Sequence, residues 1–364
     1  GDWVVDSLKG IDEKNGVVYF AARKDTALES HLYSAPLFKK GAIKRITEKG
    51  QYHNVVLAKD NKTFIDTSSS VNKPNSAALR KINGEFITWL EENKLDDSHP
   101  LTPFLTDLAQ PEYGTITAED GQVMHYRLFK PTNMAKGKKH PVIVNVYGGP
   151  HAQRVTNSWR SKNLYFQYMA QQGYVIFQLD NRGSYNRGKK FEDAIYKNLG
   201  VVEVADQIKG VEFLRTLDYV DPARIGIYGH SYGGYMALMT MFKAGDYFSA
   251  GVSGAPVTDW ALYDTHYTER YLGHPDTNAQ GYTDSAVFPY AEGLKGPLMI
   301  YHGMADDNVL FTHATKLFKQ LQDNNQQFEM MTYPGSKHSL RGKQVQTHLH
   351  QTITNFFNRN FNTN

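Results

Sequence analysis

The sequence predicts an α/β domain with a mostly parallel sheet over residues 113–364, preceded by an all-β segment over residues 1–112. Three observations indicate this division. Short strand-like runs separated by turn residues fill the first region. From Tyr113 onward, apolar runs of strand length alternate with helical periodicity, which is typical of a parallel sheet covered on both faces. At Ser231 an apolar strand passes through a G-x-S-x-G pattern into a predicted helix.

The composition is that of a soluble globular protein and excludes several function classes. The chain has 364 residues, of which 40% are apolar and 21% charged, and this length suits two domains. A formal net charge of +3 does not indicate nucleic acid as a partner. Without cysteine there is no disulfide, thiolate zinc site or cysteine nucleophile. No apolar run reaches the ~20 residues of a membrane span, and the first residues lack the features of a signal peptide.

The first region has the strand pattern of a β-propeller. Asn15-Gly16 is a strong hairpin signal, and a strand is predicted directly after it at 17–21. A further strand is predicted at 31–35, after a polar loop. Four more strands, predicted at residues 42–47, 54–58, 63–67 and 77–82, match the number in one blade. About two blades cannot close a ring, since closed propellers have about 4 to 8 blades. We therefore expect the final part of a longer propeller.

The second region has the element order of an α/β-hydrolase. Strands are predicted at residues 141–147 and 174–179, up to the serine from Ile225, and at 250–252, 297–302 and 328–333. Between Val201 and Leu217 the apolar residues Val204, Ile208, Val211 and Leu214 keep helical spacing. A serine on a tight turn between strand and helix projects its hydroxyl from the edge of such a sheet.

Ser231 needs a histidine to take its proton and a carboxylate to orient that histidine, because a serine hydroxyl is a poor nucleophile at neutral pH. In this fold the chain order is serine, acid, histidine. Asp306 and Asp307 follow one predicted strand and His338 follows the next, so all three lie at the edge where catalytic groups collect. Capping of the helix near Phe311 is the structural alternative for the aspartates. Weaker histidine candidates are His230, His302 and His313.

The developing oxyanion also needs hydrogen-bond donors. The backbone N–H of Tyr232, directly after the nucleophile, is the natural first donor. Tyr147 lies at the end of an early strand, where its hydroxyl could supply the second. By position alone, a packing role for Tyr147 is equally compatible with the sequence.

Together these residues resemble the prolyl oligopeptidase family of serine peptidases, and most closely its dipeptidyl peptidase IV branch. The likeness covers residues 113–364 throughout and the first hundred or so as the end of a propeller. The branch's W-S-Y-G-G-Y is matched by H-S-Y-G-G-Y at 230–235. The family's Y-x-G-P and H-G-x-A-D-D-N-V motifs are matched at 147–150 and 302–309. A stretch from Ala255 to Tyr271 matches the region that lines the branch's specificity pocket.

The resemblance implies a role for each matched residue. It makes Asp306 rather than Asp307 the triad acid, His338 the base and Tyr147 an oxyanion donor. It implies a compact apolar pocket, suited to a pyrrolidine ring, lined by Tyr232, Val257, Trp260, Tyr263, Tyr267 and Val309. Asn308 is expected to hydrogen-bond a substrate carbonyl. Without the resemblance, core packing would be the preferred interpretation of the aromatic residues.

The sequence also departs from the branch. His230 replaces the tryptophan before the serine, and Asn181-Arg182-Gly183-Ser184 stands where an aspartate-led turn is usual. In the branch, a glutamate pair that captures the substrate's amino terminus and an arginine that holds its carbonyl come from earlier propeller regions. Those regions do not occur in this chain, and Glu91-Glu92 is interpreted as a solvated loop in the final blade.

We therefore expect a serine exopeptidase that releases amino-terminal dipeptides with proline or alanine in the second position. The alternatives are a tripeptidyl or acylaminoacyl-type peptidase, an esterase of the same family, or an inactive interaction module. No metal or nucleotide motif occurs, so we expect no cofactor. A peptide with proline near its amino terminus is the expected partner, without nucleic acid or a membrane span, and a homodimer is left open. The resemblance slightly favours a periplasmic or secreted location.

Overall fold

The computed structural model describes residues 3–362 of the chain, which form two compact units. The first unit comprises Gly1–Leu108, Val155–Leu164 and Tyr185–Lys189. The second comprises Ala109–Arg154, Tyr165–Ser184 and Lys190–Asn364. Among the described residues, no helix has both the length and the apolar character needed to cross a membrane.

Two four-stranded antiparallel sheets make up most of the first unit, each with its strands paired in chain order. The first sheet contains β1 (Val5–Asp12), β2 (Val17–Ala22), β3 (His31–Pro36) and β4 (Lys44–Arg45). The second contains β5 (Tyr52–Leu57), β6 (Thr63–Ser70), β7 (Lys73–Lys81) and β8 (Phe86–Glu91). Side chains alternate between buried and exposed along β5 to β7, and a small core of Tyr19, Leu32, Val55 and Phe64 forms on the buried side. This is the blade-like arrangement expected of a propeller.

The predicted grouping of these strands was wrong in two respects. The strand expected at 42–47 shortens to Lys44–Arg45 and pairs with β3, so it completes the first sheet instead of starting the second. The second sheet obtains its fourth strand from Phe86–Glu91, which places Glu91 at a strand end and not in a loop. All six residues of β8 are exposed, so the sequence F-I-T-W-L-E carries no alternation that would reveal a strand.

One eight-stranded sheet organises the second unit. Its strands are β9 (Pro111–Thr117), β10 (Val123–Phe129), β11 (His140–Val146), β12 (Val175–Leu179), β13 (Val220–His230), β14 (Ala250–Gly254), β15 (Leu298–Gly303) and β16 (Glu329–Tyr333). They lie in the order β16-β15-β14-β13-β11-β12-β10-β9. The neighbouring pairs from β12 to β16 are parallel, whereas β9 and β10 are antiparallel additions at one edge. The predicted mostly parallel α/β-hydrolase sheet is confirmed.

Helices cover both faces of this sheet. The α-helices are α1 (Leu164–Gln171), α2 (Lys189–Glu192), α3 (Val202–Arg215), α4 (Tyr232–Lys243), α5 (Thr265–Leu272), α6 (Ala279–Ser285), α7 (Thr312–Asp323) and α8 (Lys343–Phe361). Short 3₁₀ turns occur at Thr102–Asp107, Trp159–Lys162, Asp193–Ile195, Trp260–Leu262, Pro275–Thr277 and Phe288–Gly293. Strands β12, β14 and β15 are buried along their whole length, because two apolar clusters enclose the sheet from opposite sides. The carboxyl ends of the parallel strands therefore converge on one edge.

Candidate active site

The nucleophile elbow lies between β13 and α4 in the middle of the sheet. Ser231 has φ 62° and ψ −122°, a backbone conformation that is strained for a residue with a side chain. Its N–H donates to the carbonyl oxygen of Gly254, at the end of the neighbouring strand β14, over 2.8 Å. The turn is so tight that a Cβ at Gly229 would lie 2.1 Å from the carbonyl oxygen of Gly233. Only a glycine fits there, which explains the G-x-S-x-G spacing physically.

The three predicted triad side chains lie together in one hydrogen-bonded chain. The Nε2 atom of His338 is 2.9 Å from the Oγ of Ser231, and its Nδ1 is 2.7 Å from an Oδ of Asp306. Asp306 follows β15, and His338 follows the adjacent strand β16, so the parallel register of the sheet brings them to the serine. The carboxylate is fully buried, while the imidazole keeps 17% of its surface exposed, as a group that meets a substrate must.

Asp306 is held as an anion by its surroundings. One carboxylate oxygen accepts the N–H groups of Asn308 and Val309 at 2.9 and 3.0 Å, and the other faces His338 and the Nε2 of His302 at 3.2 Å. Burial by itself would raise the pKa of Asp306, but the hydrogen bonds from His302, His338 and Asn308 outweigh it and hold that pKa well below its usual range. An ionised acid is what orients and stabilises a protonated histidine.

The rival candidates are engaged elsewhere. Asp307 is exposed and pairs with Lys337. His302 is buried, with its Nε2 2.8 Å from the carbonyl oxygen of Val309. The Nδ1 of His313 accepts the N–H of Thr258.

His230, which stands where the family's branch has tryptophan, lies beside the imidazole of His338. Its ring centre is 5.0 Å from that of His338, and it stacks on Tyr301, whose hydroxyl is 3.1 Å from its Nδ1. Burial, reinforced by the nearby His338, lowers the pKa of His230 to about 3. The ring is therefore neutral at physiological pH and adds no positive charge next to the base.

The two predicted oxyanion donors come from adjacent elements. Tyr232 is the first residue of α4, where backbone N–H groups have no partner within the helix. Tyr147 directly follows β11, and its ring centre lies 6.0 Å from that of Tyr232. Burial raises the pKa of the Tyr147 hydroxyl, while the guanidinium of Arg154, 4.6 Å above the ring, acts in the opposite direction. Tyr147 is therefore a neutral hydroxyl with a cation on its ring face.

The residues predicted to form the specificity pocket also cluster. The rings of Trp260 and Tyr267 stack at 6.0 Å, Tyr263 packs edge-on against both, and Tyr232 lies 5.4 Å from Trp260. Val257 and Val309 are buried in the same apolar cluster as Trp260, so this group is continuous with the core of the unit. Asn308 joins the group because its side-chain oxygen accepts the hydroxyl of Tyr263 at 2.7 Å.

Sequence reasoning missed the polar residues that support the site. Glu203 is buried on α3 and accepts the hydroxyl of Tyr232 at 2.7 Å. The side-chain amide of Asn181 donates to the carbonyl oxygen of Gly148, next to Tyr147, and itself accepts from Gln207 of α3. The apolar spacing on α3 identified its core face but concealed a polar stripe at positions 203, 206 and 207, three and four residues apart. That spacing is the signal that could have found them.

Within residues 3–362, no group of three or more histidine, aspartate or glutamate side chains is arranged to hold a metal ion.

Family models, curated relatives and solved structures all match this chain to the same group of peptidases. Residues 159–364 match the model of the prolyl oligopeptidase family, and residues 1–75 match that of the dipeptidyl peptidase IV N-terminal region. Dipeptidyl peptidase 8 of Mus musculus is 36% identical over 96% of this chain and 41% of its own length. The Homo sapiens protein of the same name is 35% identical, over 96% of this chain and 40% of its own length.

A solved structure agrees with this relationship. The crystal structure of Porphyromonas gingivalis dipeptidyl peptidase 4 superimposes with a TM-score of 0.90 and 30% identity, covering 98% of this chain and 50% of that one. This chain thus spans about 40% of the length of these two relatives and half of the solved chain. The family match includes the elbow and the carboxyl-terminal strands that carry Asp306 and His338. The chain belongs to the prolyl oligopeptidase family, in its dipeptidyl peptidase IV branch.

Proposed function

We propose that this chain carries the catalytic site of a serine dipeptidyl peptidase, which releases amino-terminal dipeptides whose second residue is proline or alanine. The observation that carries the proposal is the continuous hydrogen-bonded chain from the Oγ of Ser231 through His338 to Asp306. The order of these groups along the sequence, and the strained serine on its elbow, are those of a hydrolase nucleophile. The names of the relatives supply the expectation of dipeptide release.

In the proposed reaction, the same groups act first in acylation of Ser231 and again in hydrolysis of the acyl-enzyme. The Nε2 of His338 takes the hydroxyl proton of Ser231 as Oγ attacks the substrate carbonyl, and Asp306 stabilises the imidazolium that forms. The hydroxyl of Tyr147 and the N–H of Tyr232 donate to the oxyanion of the tetrahedral intermediate. His338 then gives its proton to the leaving amine, and water repeats the sequence to hydrolyse the acyl-enzyme.

The preference for proline rests on the shape and chemistry of the aromatic group beside Ser231. Its ring faces form flat apolar walls, which suit a pyrrolidine ring and offer no partner for a charged side chain. The side-chain oxygen of Asn308 accepts a hydrogen bond from the hydroxyl of Tyr263. Its NH₂ group is the part of the side chain that can donate to a substrate carbonyl. Alanine is small enough to enter the same pocket with fewer contacts.

The test is hydrolysis of chromogenic Gly-Pro and amino-blocked Gly-Pro substrates by the chain and by its Ser231→Ala variant. We expect serine-dependent cleavage of the free-amine substrate, and a loss of about 10⁶-fold in turnover in the variant. Near-normal turnover by Ser231→Ala would refute the assignment of the nucleophile. Cleavage of both substrates would retain the serine peptidase and reject dipeptide release as a property of this chain.

A fluorophosphonate probe gives an independent readout, because it labels an activated serine without requiring a peptide substrate. We expect it to label the chain and not the Ser231→Ala variant. Absence of labelling would favour the alternative of an interaction module with a hydrolase fold. Tyr147→Phe should lower turnover by about 10²- to 10³-fold through loss of one oxyanion donor, while labelling of Ser231 persists more slowly.

A further inference from the structure

Helix α3 carries a polar stripe that is as buried as the apolar core. Glu203, Asp206 and Gln207 are each at most 1% exposed. They occupy positions three and four residues apart, so they share one face of the helix. Burying an unpaired carboxylate or amide is costly, and each of these groups has a specific partner outside the helix. Asp206 binds Arg182, Gln207 binds Asn181, and Glu203 reaches the residue next to the nucleophile.

The contacts of Glu203 suit a carboxylate that only accepts hydrogen bonds. One oxygen accepts the hydroxyl of Tyr232 at 2.7 Å, and both oxygens are 3.0 Å from the N–H of Gly200. Glu203 is the second residue of α3, where the helix dipole favours a negative charge. The ammonium group of Lys243 binds the carbonyl oxygen of Gly200 nearby, at 3.3 Å. Burial raises the pKa of Glu203, and the bond from Tyr232 acts against that rise.

Tyr232 links the two parts of the proposed site. Its backbone N–H is the proposed oxyanion donor, and its ring is a wall of the specificity pocket. The ring packs 5.4 Å from Trp260 and 6.0 Å from Tyr147. The loop after Tyr147 crosses its face so closely that a Cβ at Gly149 would lie 2.5 Å from the ring. These neighbours restrain the ring faces, whereas Glu203 holds the hydroxyl end.

We propose that Glu203 is a positioning residue that sets the preference for proline over alanine by fixing the ring of Tyr232. The inference rests on the proposed function, since it assigns a specificity determinant to that same site. A pyrrolidine ring gains contact only from walls held at a set separation, whereas a methyl group touches them little. Differences of one or a few methylenes in an apolar pocket change specificity by about 10- to 200-fold. If the ring of Tyr232 is free to move, the preference for proline over alanine therefore decreases.

The experiment is a double-mutant cycle on the full chain. Values of kcat/KM are measured for Gly-Pro and Gly-Ala chromogenic substrates with the parent, Tyr232→Phe, Glu203→Leu and the double variant. Tyr232→Phe keeps the ring and removes only the hydroxyl, so it tests the link even where Glu203→Leu folds poorly. Glu212→Gln is the control, because Glu212 lies on the exposed side of the same helix and pairs with Lys209.

We expect each single variant to lower the proline-to-alanine ratio by about tenfold, the worth of one hydrogen bond to a charged group. The ratio of the double variant should be no lower than that of the single variant with the larger loss, because both substitutions remove the same hydrogen bond. Glu212→Gln should keep the parent ratio. Unchanged ratios in the single variants, or losses that multiply in the double variant, would overturn the inference and leave Glu203 with a helix-capping role. A parent without serine-dependent turnover refutes the proposed function instead, and the inference with it.

Discussion

The two units of this protein each contain a histidine–aspartate pair, and the pairs differ in what the second nitrogen of the histidine ring meets. In the first unit, the Nδ1 of His53 is 2.8 Å from Asp66, and its Nε2 is 2.9 Å from the carbonyl oxygen of Glu48. A carbonyl oxygen only accepts, so Nε2 must carry a proton. Asp66 also lies 3.1 Å from the Nε of Arg80. The ring of His53 is thus fixed on both sides by oxygen atoms that accept hydrogen bonds.

In the second unit, the Nδ1 of His338 is 2.7 Å from Asp306, nearly the same distance. Its Nε2 faces the hydroxyl of Ser231, which can donate a proton. A neutral imidazole with a free lone pair therefore fits this position. The comparison teaches that the histidine–aspartate pair alone indicates no chemistry. A fixed acceptor on the far side of the ring gives the pair a structural role, whereas an exchangeable hydroxyl there lets the histidine act as a proton acceptor.

Asp306→Asn should break the second pair with the largest effect. An amide at this position can donate to Nδ1, which favours the tautomer whose Nε2 cannot accept the proton of Ser231. We expect turnover of the Gly-Pro substrate to fall about 10⁴-fold, as such a change does in a serine triad. The control is Asp307→Asn, because Asp307 is exposed and its pairing with Lys337 contributes little. A loss of turnover of only about tenfold or less would exclude this role for Asp306.

Asp66→Asn applies the same substitution to the first pair and should affect stability instead. It removes the buried counter-ion of Arg80 and the carboxylate partner of His53, which costs about 3–5 kcal/mol. The effect should appear in hydrogen–deuterium exchange as lost protection of β5, β6 and β7. Turnover per folded molecule should stay unchanged. Asp60→Asn is the matched control, because Asp60 is exposed in the turn before β6 and accepts only a local N–H. Full protection in Asp66→Asn would mean that the sheet does not depend on the charge of Asp66.

Much of the second unit was predictable because its strands are buried on both faces. Such strands are continuous apolar runs, and those at 141–147, 174–179 and 297–302 each coincide with an observed strand. The first unit was less predictable. Strand β1 carries two irregularities in its pairing, and β8 is exposed throughout, so neither alternates as a half-buried strand does. The turn that separates the two sheets was therefore misplaced.

The proposed triad side chains were predictable because their positions depend on chain order and on strand ends, which a sequence displays. Ser231, Asp306 and His338 were placed in this way. Glu203 was not, because its burial depends on the hydroxyl of Tyr232, which another element brings to it. His302 was considered only as a rival base, although it supplies a hydrogen-bond donor to Asp306. The spacing of polar residues on a helix can indicate that they share a face, but it does not identify the partner that tertiary packing brings to them.

A third buried histidine sharpens the comparison through pH. His313, on α7, is fully buried and accepts the N–H of Thr258 at its Nδ1, so it is neutral in the folded chain. Burial, with a smaller contribution from His302, lowers its pKa to about 4. The pKa is near 6.5 in the unfolded chain, so protonation favours unfolding as pH falls from about 6.5 towards 4. His230, whose pKa is lowered to about 3, acts in the same direction.

His313→Asn should therefore make the second unit less sensitive to acid, since asparagine keeps an acceptor for Thr258 and cannot be protonated in this range. The parent should lose about 2 kcal/mol more than the variant between pH 7 and pH 5. The measurement is urea unfolding at pH 7 and pH 5, followed by the fluorescence of Trp260 after the other tryptophans are replaced by phenylalanine. If both proteins lose the same free energy of unfolding, the acid sensitivity lies elsewhere. His53→Gln should not reproduce the effect, because His53 lies in the first unit whereas His313 and the reporter Trp260 lie in the second.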